Sequence, residues 1–335
     1  MRAVVLTEVG GPEKLAVQEI DTPEPQRGEV RVRLETSALN RRDYWVTLGM
    51  YPGMKLPCVL GSDGAGIVDA AGEGADSSLV GKEVLIYPAR EWGDSQRCFG
   101  DDFRVLGMPD QGTFAEHICV PAGDVHARPQ HLDWEQSAAV PLAGLTSWRA
   151  AVTHGEVGPG QKVLVTAAGS GVASFAILWC VNRGAEVYVT SGAQSKIETA
   201  KANGAVDGVS YRDEDFCKKL RAKSGGFDVI IDSAGGDGMN ALLNTLNPAG
   251  RYVFFGATLG NSAKGLEMAK LFFRHIRIQG TTMGSPEEFR AMIDFMSEKN
   301  IKPVVDRVLP MDSAVEAHQV MADFSQTGKI VLRNQ

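Results

Sequence analysis

Val163-Leu164-Val165-Thr166-Ala167-Ala168-Gly169-Ser170-Gly171-Val172-Ala173-Ser174-Phe175-Ala176-Ile177-Leu178-Trp179-Cys180-Val181 is the stretch on which the fold turns. It begins with a short apolar run, passes through a turn of small residues, and continues as a longer apolar run that stops at Gly184. That order reads as a buried strand, a tight turn and a helix. Small residues in such a turn let the backbone approach a pyrophosphate closely. The helix start adds free N–H groups and the positive end of a dipole. The last glycine of the usual fingerprint is missing, with Ala173 or Ser174 in its place. The strand–turn–helix context still marks the turn, Ala168 to Val172, as a dinucleotide site.

Outward from this turn the same texture repeats. Val187-Tyr188-Val189, Val229-Ile230-Ile231 and Tyr252-Val253-Phe254-Phe255 are short apolar runs of the kind buried in parallel sheets. Helical patterns separate them. Ser195-Lys196-Ile197-Glu198 fits a capping box, and Gly204 closes that helix. Met239, Leu242, Leu243 and Leu246 share one helix face, with Pro248 beyond the end. Alternating strands and helices predict a doubly wound parallel sheet of the Rossmann type, with Arg274–Gln279 as its last, edge strand.

Upstream the period changes to two. Val30, Val32 and Leu34 alternate with Arg31, Arg33 and Glu35, as in a half-buried antiparallel strand. Residues 88–112 show no period and read as a long excursion loop or small lobe. Downstream, Ser285-Pro286-Glu287-Glu288 starts a helix whose stripe is Phe289, Met292, Ile293 and Met296. Ala314, Ala317, Met321 and Phe324 make another stripe, ended by Gly328. Lys329-Ile330-Val331-Leu332 reads as a strand returning to the first domain. The expected division is 1–125, completed by 281–335, for a mainly antiparallel catalytic domain, and 126–280 for the dinucleotide domain.

Composition narrows the function. The 335 residues carry 34 basic and 41 acidic side chains, a net charge of -7, which excludes a general nucleic-acid binder. The five cysteines, Cys58, Cys98, Cys119, Cys180 and Cys217, form no CxxC and read as reduced thiols. Residues 1–8 read as a strand rather than a leader, and no run of 18 apolar residues occurs. A cytoplasmic protein without membrane or nucleic-acid partners is expected.

The cofactor follows from the end of the second strand, Thr190-Ser191-Gly192-Ala193-Gln194. An acid there would hold a ribose 2′-hydroxyl, as in NAD sites. None is present, and Lys196 follows within reach of a 2′-phosphate. NADPH is therefore expected.

Further segments carry a resemblance. They are Gly10-Gly11-Pro12-Glu13, Leu39-Asn40-Arg41-Arg42-Asp43, Tyr51-Pro52-Gly53, Leu60-Gly61-Ser62-Asp63-Gly64-Ala65-Gly66, Gly112-Thr113-Phe114-Ala115-Glu116-His117 and Pro141-Leu142-Ala143-Gly144-Leu145-Thr146. Over its whole length the chain resembles the medium-chain dehydrogenase/reductase superfamily, and within it the zinc-free quinone oxidoreductase branch and its bacterial zinc-type alcohol dehydrogenase-like relatives. The resemblance implies a GroES-like catalytic domain beside the Rossmann domain. Zinc members carry cysteine where this chain has Asn40, histidine and glutamate where it has Ser62 and Asp63, and a third protein ligand near Leu142. Asn, Ser and Leu cannot replace thiolate and imidazole around zinc. The loop matching the second, structural zinc site holds only Cys98. No metal is expected.

The resemblance further implies that Ser191, Lys196 and Tyr211 surround the 2′-phosphate. It puts Thr146, Ser233, Gly235, Phe255, Gly256 and Ala257 along the nicotinamide and its ribose. Asn40, Tyr44 and Tyr51 fall in the substrate cleft, where Ser62 and Leu142 stand in for lost metal ligands. Asn40 and Tyr51 are the candidate catalytic donors to an acceptor oxygen. Plainer readings stand beside these: Phe255 as strand core, Tyr44 and Trp45 as packing aromatics, Cys58 and Cys180 as buried filler, His117 as a satisfied strand histidine. The expected activity is NADPH-dependent reduction of a quinone or similar small conjugated carbonyl by a homodimer or homotetramer. An alkenal or enoyl-thioester reductase, or a non-catalytic NADPH-binding redox sensor, are the alternatives.

Overall fold

The structure is a computed structural model and describes residues 1–334. The chain divides into two compact units, Met1–Leu145 with the last residues from Ser285, and Thr146–Gly284.

In the first unit the strands are β1 (Arg2–Leu6), β2 (Leu15–Glu19), β3 (Glu29–Ala38), β4 (Cys58–Val59), β5 (Asp63–Ala71), β6 (Glu83–Ile86), β7 (Ala89–Arg90), β8 (Arg104–Val105), β9 (His117–Pro121) and β10 (Val125–Ala127). Helix α1 (Arg41–Thr47) follows β3, and α2 (Trp134–Ala139) and α3 (Pro141–Trp148) follow β10. The alternation read along β3 is real: Val30, Val32 and Leu34 are buried and the residues between them half-buried. Antiparallel pairs β3–β5, β5–β6, β6–β10 and β3–β9 build the main sheet, and β2–β1–β4 form a second one. β10 pairs with β6, and the Trp134 carbonyl of α2 accepts from Thr36 Oγ1 of β3. Those contacts place residues 126–145 with the first unit, although the sequence suggested a border at 125/126. The other border lies at Gly284/Ser285, where 280/281 was expected.

The excursion at 88–112 contains the β7–β8 pair and a small aromatic core. Phe99 stacks on Phe103 at 4.2 Å, and Trp92 meets both edge-on at 5.8 and 5.7 Å. Apolar packing thus holds a lobe whose only cysteine is exposed.

The second unit holds α4 (Gly171–Asn182), α5 (Gln194–Ala202), α6 (Phe216–Ser224), α7 (Gly238–Leu243) and α8 (Met268–Phe273), with strands β11 (Lys162–Val165), β12 (Glu186–Ser191), β13 (Asp207–Ser210), β14 (Phe227–Asp232), β15 (Leu246–Phe254) and β16 (Arg277–Gly280). The sheet is parallel throughout, in the order β13-β12-β11-β14-β15-β16. This is the Rossmann arrangement, with β16 at the edge. Three local readings shift. Leu246 opens β15 instead of extending α7, because its buried side chain packs in the sheet core opposite Phe227. Helix α5 starts at Gln194 with Ala193 at its N-cap, and the Glu198 carboxylate accepts from Gln194 Nε2 (2.7 Å) rather than closing a capping box on Ser195. His275 has φ of 53°, so β16 begins only at Arg277.

The chain then returns to the first unit through α9 (Pro286–Glu298), β17 (Val305–Pro310), α10 (Ala314–Ala322) and β18 (Lys329–Arg333). The start of α9 is as read: Ser285 Oγ accepts from Glu288 N (3.2 Å), Glu288 accepts from Ser285 N (2.8 Å), and Pro286 takes the first helical position. β18 pairs antiparallel with β3. Phe324 lies beyond the end of α10 and is exposed, with the Arg41 guanidinium 3.9 Å from its ring centroid, so it belongs to no apolar stripe.

Candidate functional site

In the second unit the chemistry gathers where parallel strands end, the place such sheets bind ligands. β11 ends in the turn Ala167–Ser170. Ala168 N donates to the Thr190 carbonyl (2.9 Å), tying the turn to the end of β12. Ser170 caps α4, its Oγ accepting from Ala173 N (3.2 Å). The N–H groups of Gly171 and Val172 then have no acceptor within the helix. A Cβ on Gly169 would meet the far end of the Lys196 side chain, with Cδ at 2.3 Å. Lys196 of α5 is thereby laid across the turn.

The end of β12 brings the next group together. Ser191 is buried, and its Oγ accepts from Ala193 N (3.3 Å), leaving its hydrogen to donate. Tyr211 N donates to the Ser191 carbonyl (3.2 Å). A Cβ on Gly192 would meet the Tyr211 hydroxyl at 2.5 Å and Arg212 Nε at 3.1 Å. So Ser191, Lys196 and Tyr211 do flank the strand end, and Arg212 is a cation the sequence reading did not single out. Its neighbour Tyr211 was the available signal.

At the ends of β14 and β15 a buried carboxylate organises the backbone. Asp232 accepts from Thr166 Oγ1 (2.6 Å), Tyr252 OH (2.6 Å), Ala234 N (3.2 Å) and Gly235 N (2.9 Å). Burial beside that carboxylate pushes the Tyr252 phenol far up, so it stays a donor. Gly235 takes φ of 62° next to Ala257. Gly256 passes so close to the Ser233 carbonyl that a Cβ would lie 2.8 Å from it, and Thr258 donates to that carbonyl. Phe255 N donates to the Asp232 carbonyl (3.0 Å). Ser233, Gly235, Phe255, Gly256 and Ala257 therefore form one cluster. Thr146 is also buried in this unit, its Oγ1 3.9 Å from the Met283 sulfur.

The first unit holds a different cluster, built on the start of α1. Asn40 is the N-cap, and its N–H donates to Asp43 Oδ2 (2.7 Å). Full burial raises the Asp43 carboxyl to about 6. Arg42 is a buried hub, donating to Ser62 Oγ (2.8 Å), the Leu106 carbonyl (2.7 Å) and the Met108 carbonyl (2.9 Å). Its guanidinium lies 4.9 Å from the Tyr51 ring centroid. Tyr51 and Tyr44 are half-buried, both packed against the core. Ser62 is fully buried and donates to the Leu106 carbonyl (2.6 Å), so the hydroxyl expected at the substrate is spent inside the protein. Leu142 is nearly buried, and its backbone N–H donates to Asp63 Oδ1 (2.7 Å). Asp63 Oδ2 accepts from Asn40 Nδ2 (2.9 Å) and from Lys329 Nζ (2.7 Å), and Lys329 also donates to Asn40 Oδ1 (2.7 Å).

Other chemistry-bearing residues are quiet. Burial pushes the thiols of Cys58 and Cys180 up to about 11 and about 12, so neither is a nucleophile. His117 is held below its usual range by burial and faces Asp69 at 3.4 Å, as a strand histidine would.

Among the described residues no three His, Cys, Asp or Glu side chains gather around one point. The oxygens of Asn40 and Asp63 already face an ammonium, and Ser62 Oγ faces a guanidinium. The donor set does not fit a zinc ion. The glycine turn does fit a dinucleotide, through its open N–H groups and its small residues.

Comparison with known proteins supports the dinucleotide fold. Residues 26–130 match the family "Alcohol dehydrogenase GroES-like domain" and residues 171–298 the family "Zinc-binding dehydrogenase". Together with the glycine turn, these define the class, an oxidoreductase that works with a nicotinamide dinucleotide. The chain is 35% identical over 331 residues to "Zinc-type alcohol dehydrogenase-like protein YogA" of Leptosphaeria maculans, covering 94% of this chain and 92% of that one. It is 30% identical to "Quinone oxidoreductase" of Pseudomonas aeruginosa, covering 96% of each. A solved structure of an "NAD-dependent alcohol dehydrogenase" superposes with a TM-score of 0.94 at 38% identity, covering 99% of each. The chain belongs to the medium-chain dehydrogenase/reductase superfamily.

Proposed function

We propose that this oxidoreductase reduces a quinone, or a similar small conjugated carbonyl, with NADPH and without a metal ion. The observation that carries the reading is the buried set Asn40, Ser62, Asp63 and Leu142, which offers hydrogen bonds and a fixed ammonium where a metal-dependent enzyme needs ligands. When bound, NADPH would supply the hydride for this reduction, and a proton from solvent would complete it. Negative charge grows on the acceptor oxygen as this happens, and donors aimed at that oxygen lower the barrier. The Tyr51 hydroxyl and the Asn40 amide are those donors, with Tyr44 beside them. Ser62 is left out, since its hydroxyl bonds Arg42 and Leu106. A quinone is easily reduced, so binding and orienting it would supply much of the catalysis.

The cofactor contacts are Ala168, Gly169, Ser170, Gly171 and Val172 for the pyrophosphate. Ser191, Lys196 and Tyr211, joined by Arg212, take the 2′-phosphate. Thr146, Ser233, Gly235, Phe255, Gly256 and Ala257 line the nicotinamide side. No helix of the described chain is long and apolar enough to cross a membrane, and the setting we propose is the cytoplasm.

The test is NADPH oxidation followed by absorbance with a panel of quinones, enals and enoyl thioesters, in chelator. Turnover of quinones above the others supports the reading. Turnover only of enoyl thioesters, or none at all, replaces it with a double-bond reductase or a non-catalytic sensor. Tyr51→Phe is expected to lower turnover roughly a hundredfold or more, the loss seen when one such donor is removed, while NADPH affinity stays within about twofold. Unchanged turnover with several acceptors would reduce Tyr51 to packing.

Assembly follows from the edge of the sheet. β16 ends it, with Arg277 and Gln279 exposed, and an open edge invites a second copy. A homodimer or homotetramer is proposed. Light scattering that reads a monomer at micromolar concentration would overturn it.

A further inference from the structure

One buried charge is not used by the proposed reaction. Lys329 opens β18 and is 2% exposed, facing a fully buried Asp63 at 2.7 Å. Taking two charges out of water carries a desolvation penalty that their mutual attraction often fails to recover, so such a pair is weak evidence of stability. What it does here is set an amide. Lysine offers donors only, and an ionised aspartate offers acceptors only. With Lys329 Nζ on Asn40 Oδ1 and Asp63 Oδ2 on Asn40 Nδ2, the Asn40 side chain has a single satisfied orientation. Nδ2 carries two hydrogens. Asp63 takes one, and among the described residues none accepts the other.

We propose that Lys329 and Asp63 are positioning residues that lock the Asn40 amide so that its second Nδ2–H is presented to the carbonyl oxygen of the acceptor. A flipped amide would present Oδ1 instead, and two oxygens would repel where negative charge develops. The lock removes that orientation by giving Oδ1 a permanent cation. Leu142 N on Asp63 Oδ1 holds the carboxylate in turn, so the device links α1, β5, α3 and β18. This inference rests on the reduction of a carbonyl acceptor proposed above.

Lys329→Met alone would leave Asp63 buried and unpaired, and such a chain can fail to fold. The test therefore uses the double variant Lys329→Met/Asp63→Asn, which removes both charges together. It is placed in the otherwise native chain and in an Asn40→Ala background, with folding checked by thermal melting and circular dichroism. In the native background kcat for a benzoquinone is expected to fall ten- to a hundredfold. KM is expected to change less, and the NADPH dissociation constant to stay within about twofold. In the Asn40→Ala background the same change should alter kcat less than twofold, because nothing remains to be positioned. An equal loss in both backgrounds would make the pair merely structural, and full kcat in a folded double variant would overturn the proposal outright. If the unaltered protein turns over no carbonyl acceptor, the functional reading itself fails and takes this inference with it. That outcome is visible before any variant is made.

Discussion

Titration calorimetry is expected to give NADPH a tenfold to several-hundredfold advantage over NADH, and Ser191→Asp to reverse it. The residue at the end of β12 decides which ribose is accepted. An acid there accepts from a 2′-hydroxyl and repels a 2′-phosphate. Ser191 does neither. Its Oγ already accepts from Ala193 N, so the hydroxyl hydrogen is the part left to offer. Around it stand the Tyr211 hydroxyl and the Arg212 guanidinium, both packed against Gly192, and Lys196, whose stem lies over Gly169. A charge-assisted hydrogen bond contributes roughly 1.5–3 kcal/mol. Tyr211 is 48% exposed, so the contacts are discounted for solvent. Two or three of them, at about 1.4 kcal/mol per factor of ten, give the stated range. Lys196→Ala and Arg212→Ala should each weaken NADPH far more than NADH, and added salt should narrow the gap because the contacts are ionic and near the surface. Equal affinity for the two cofactors, or a preference for NADH, would show that the ribose is held by other groups.

The other large effect expected is on stability. Gly66 of β5 lies opposite Leu34 of β3, and a Cβ there would fall on the Arg33 carbonyl, well inside the 3.0 Å that real Cβ contacts essentially never cross. The obstacle is backbone, not a side chain that can swing away. β3 cannot retreat, since it is also paired with β9 and with β18. Gly66→Ala should therefore destabilise the first unit by about 3 kcal/mol or more, the upper end for overpacking. That is a large share of the roughly 5–15 kcal/mol by which domains are stable. Gly123→Ala, where a Cβ meets nothing within 4 Å, is the control and should stay within about 0.5 kcal/mol. Urea unfolding midpoints compare the two. Similar midpoints would mean that β5 can shift its register at little cost.

Much of this protein is written locally. The turn at Ala168–Val172 and the start of α9 depend on residues a few positions apart, so their chemistry can be read from spacing alone. The alternation along β3 and the apolar runs of β11, β12, β14 and β15 announce two-layer and buried strands for the same reason. The missing acid after β12 is equally local. Local reading fails where two outcomes fit one pattern. Leu246 continues a helical stripe in the sequence, yet the sheet core claims it, and Phe324 completes a stripe that the helix never reaches.

What only the tertiary structure decided is the pairing of charges. Asp63 and Lys329 are 266 residues apart, and Asn40 and Lys329 are 289. A lysine at the head of an apolar strand looks like a solvated end until β18 is laid beside β3 and the side chain is buried against α1 and β5. Arg42 likewise reads as surface charge until the carbonyls of Leu106 and Met108 close on it, and that closure is what takes Ser62 out of the substrate contacts. Asp232 needs Thr166 and Tyr252 from neighbouring strands before it can shape the Gly235 turn. The reason is common to all of them. Backbone propensity and hydrophobic period act over a few residues, whereas the worth of a charge is set by its burial and its partners. Both exist only after distant segments have packed.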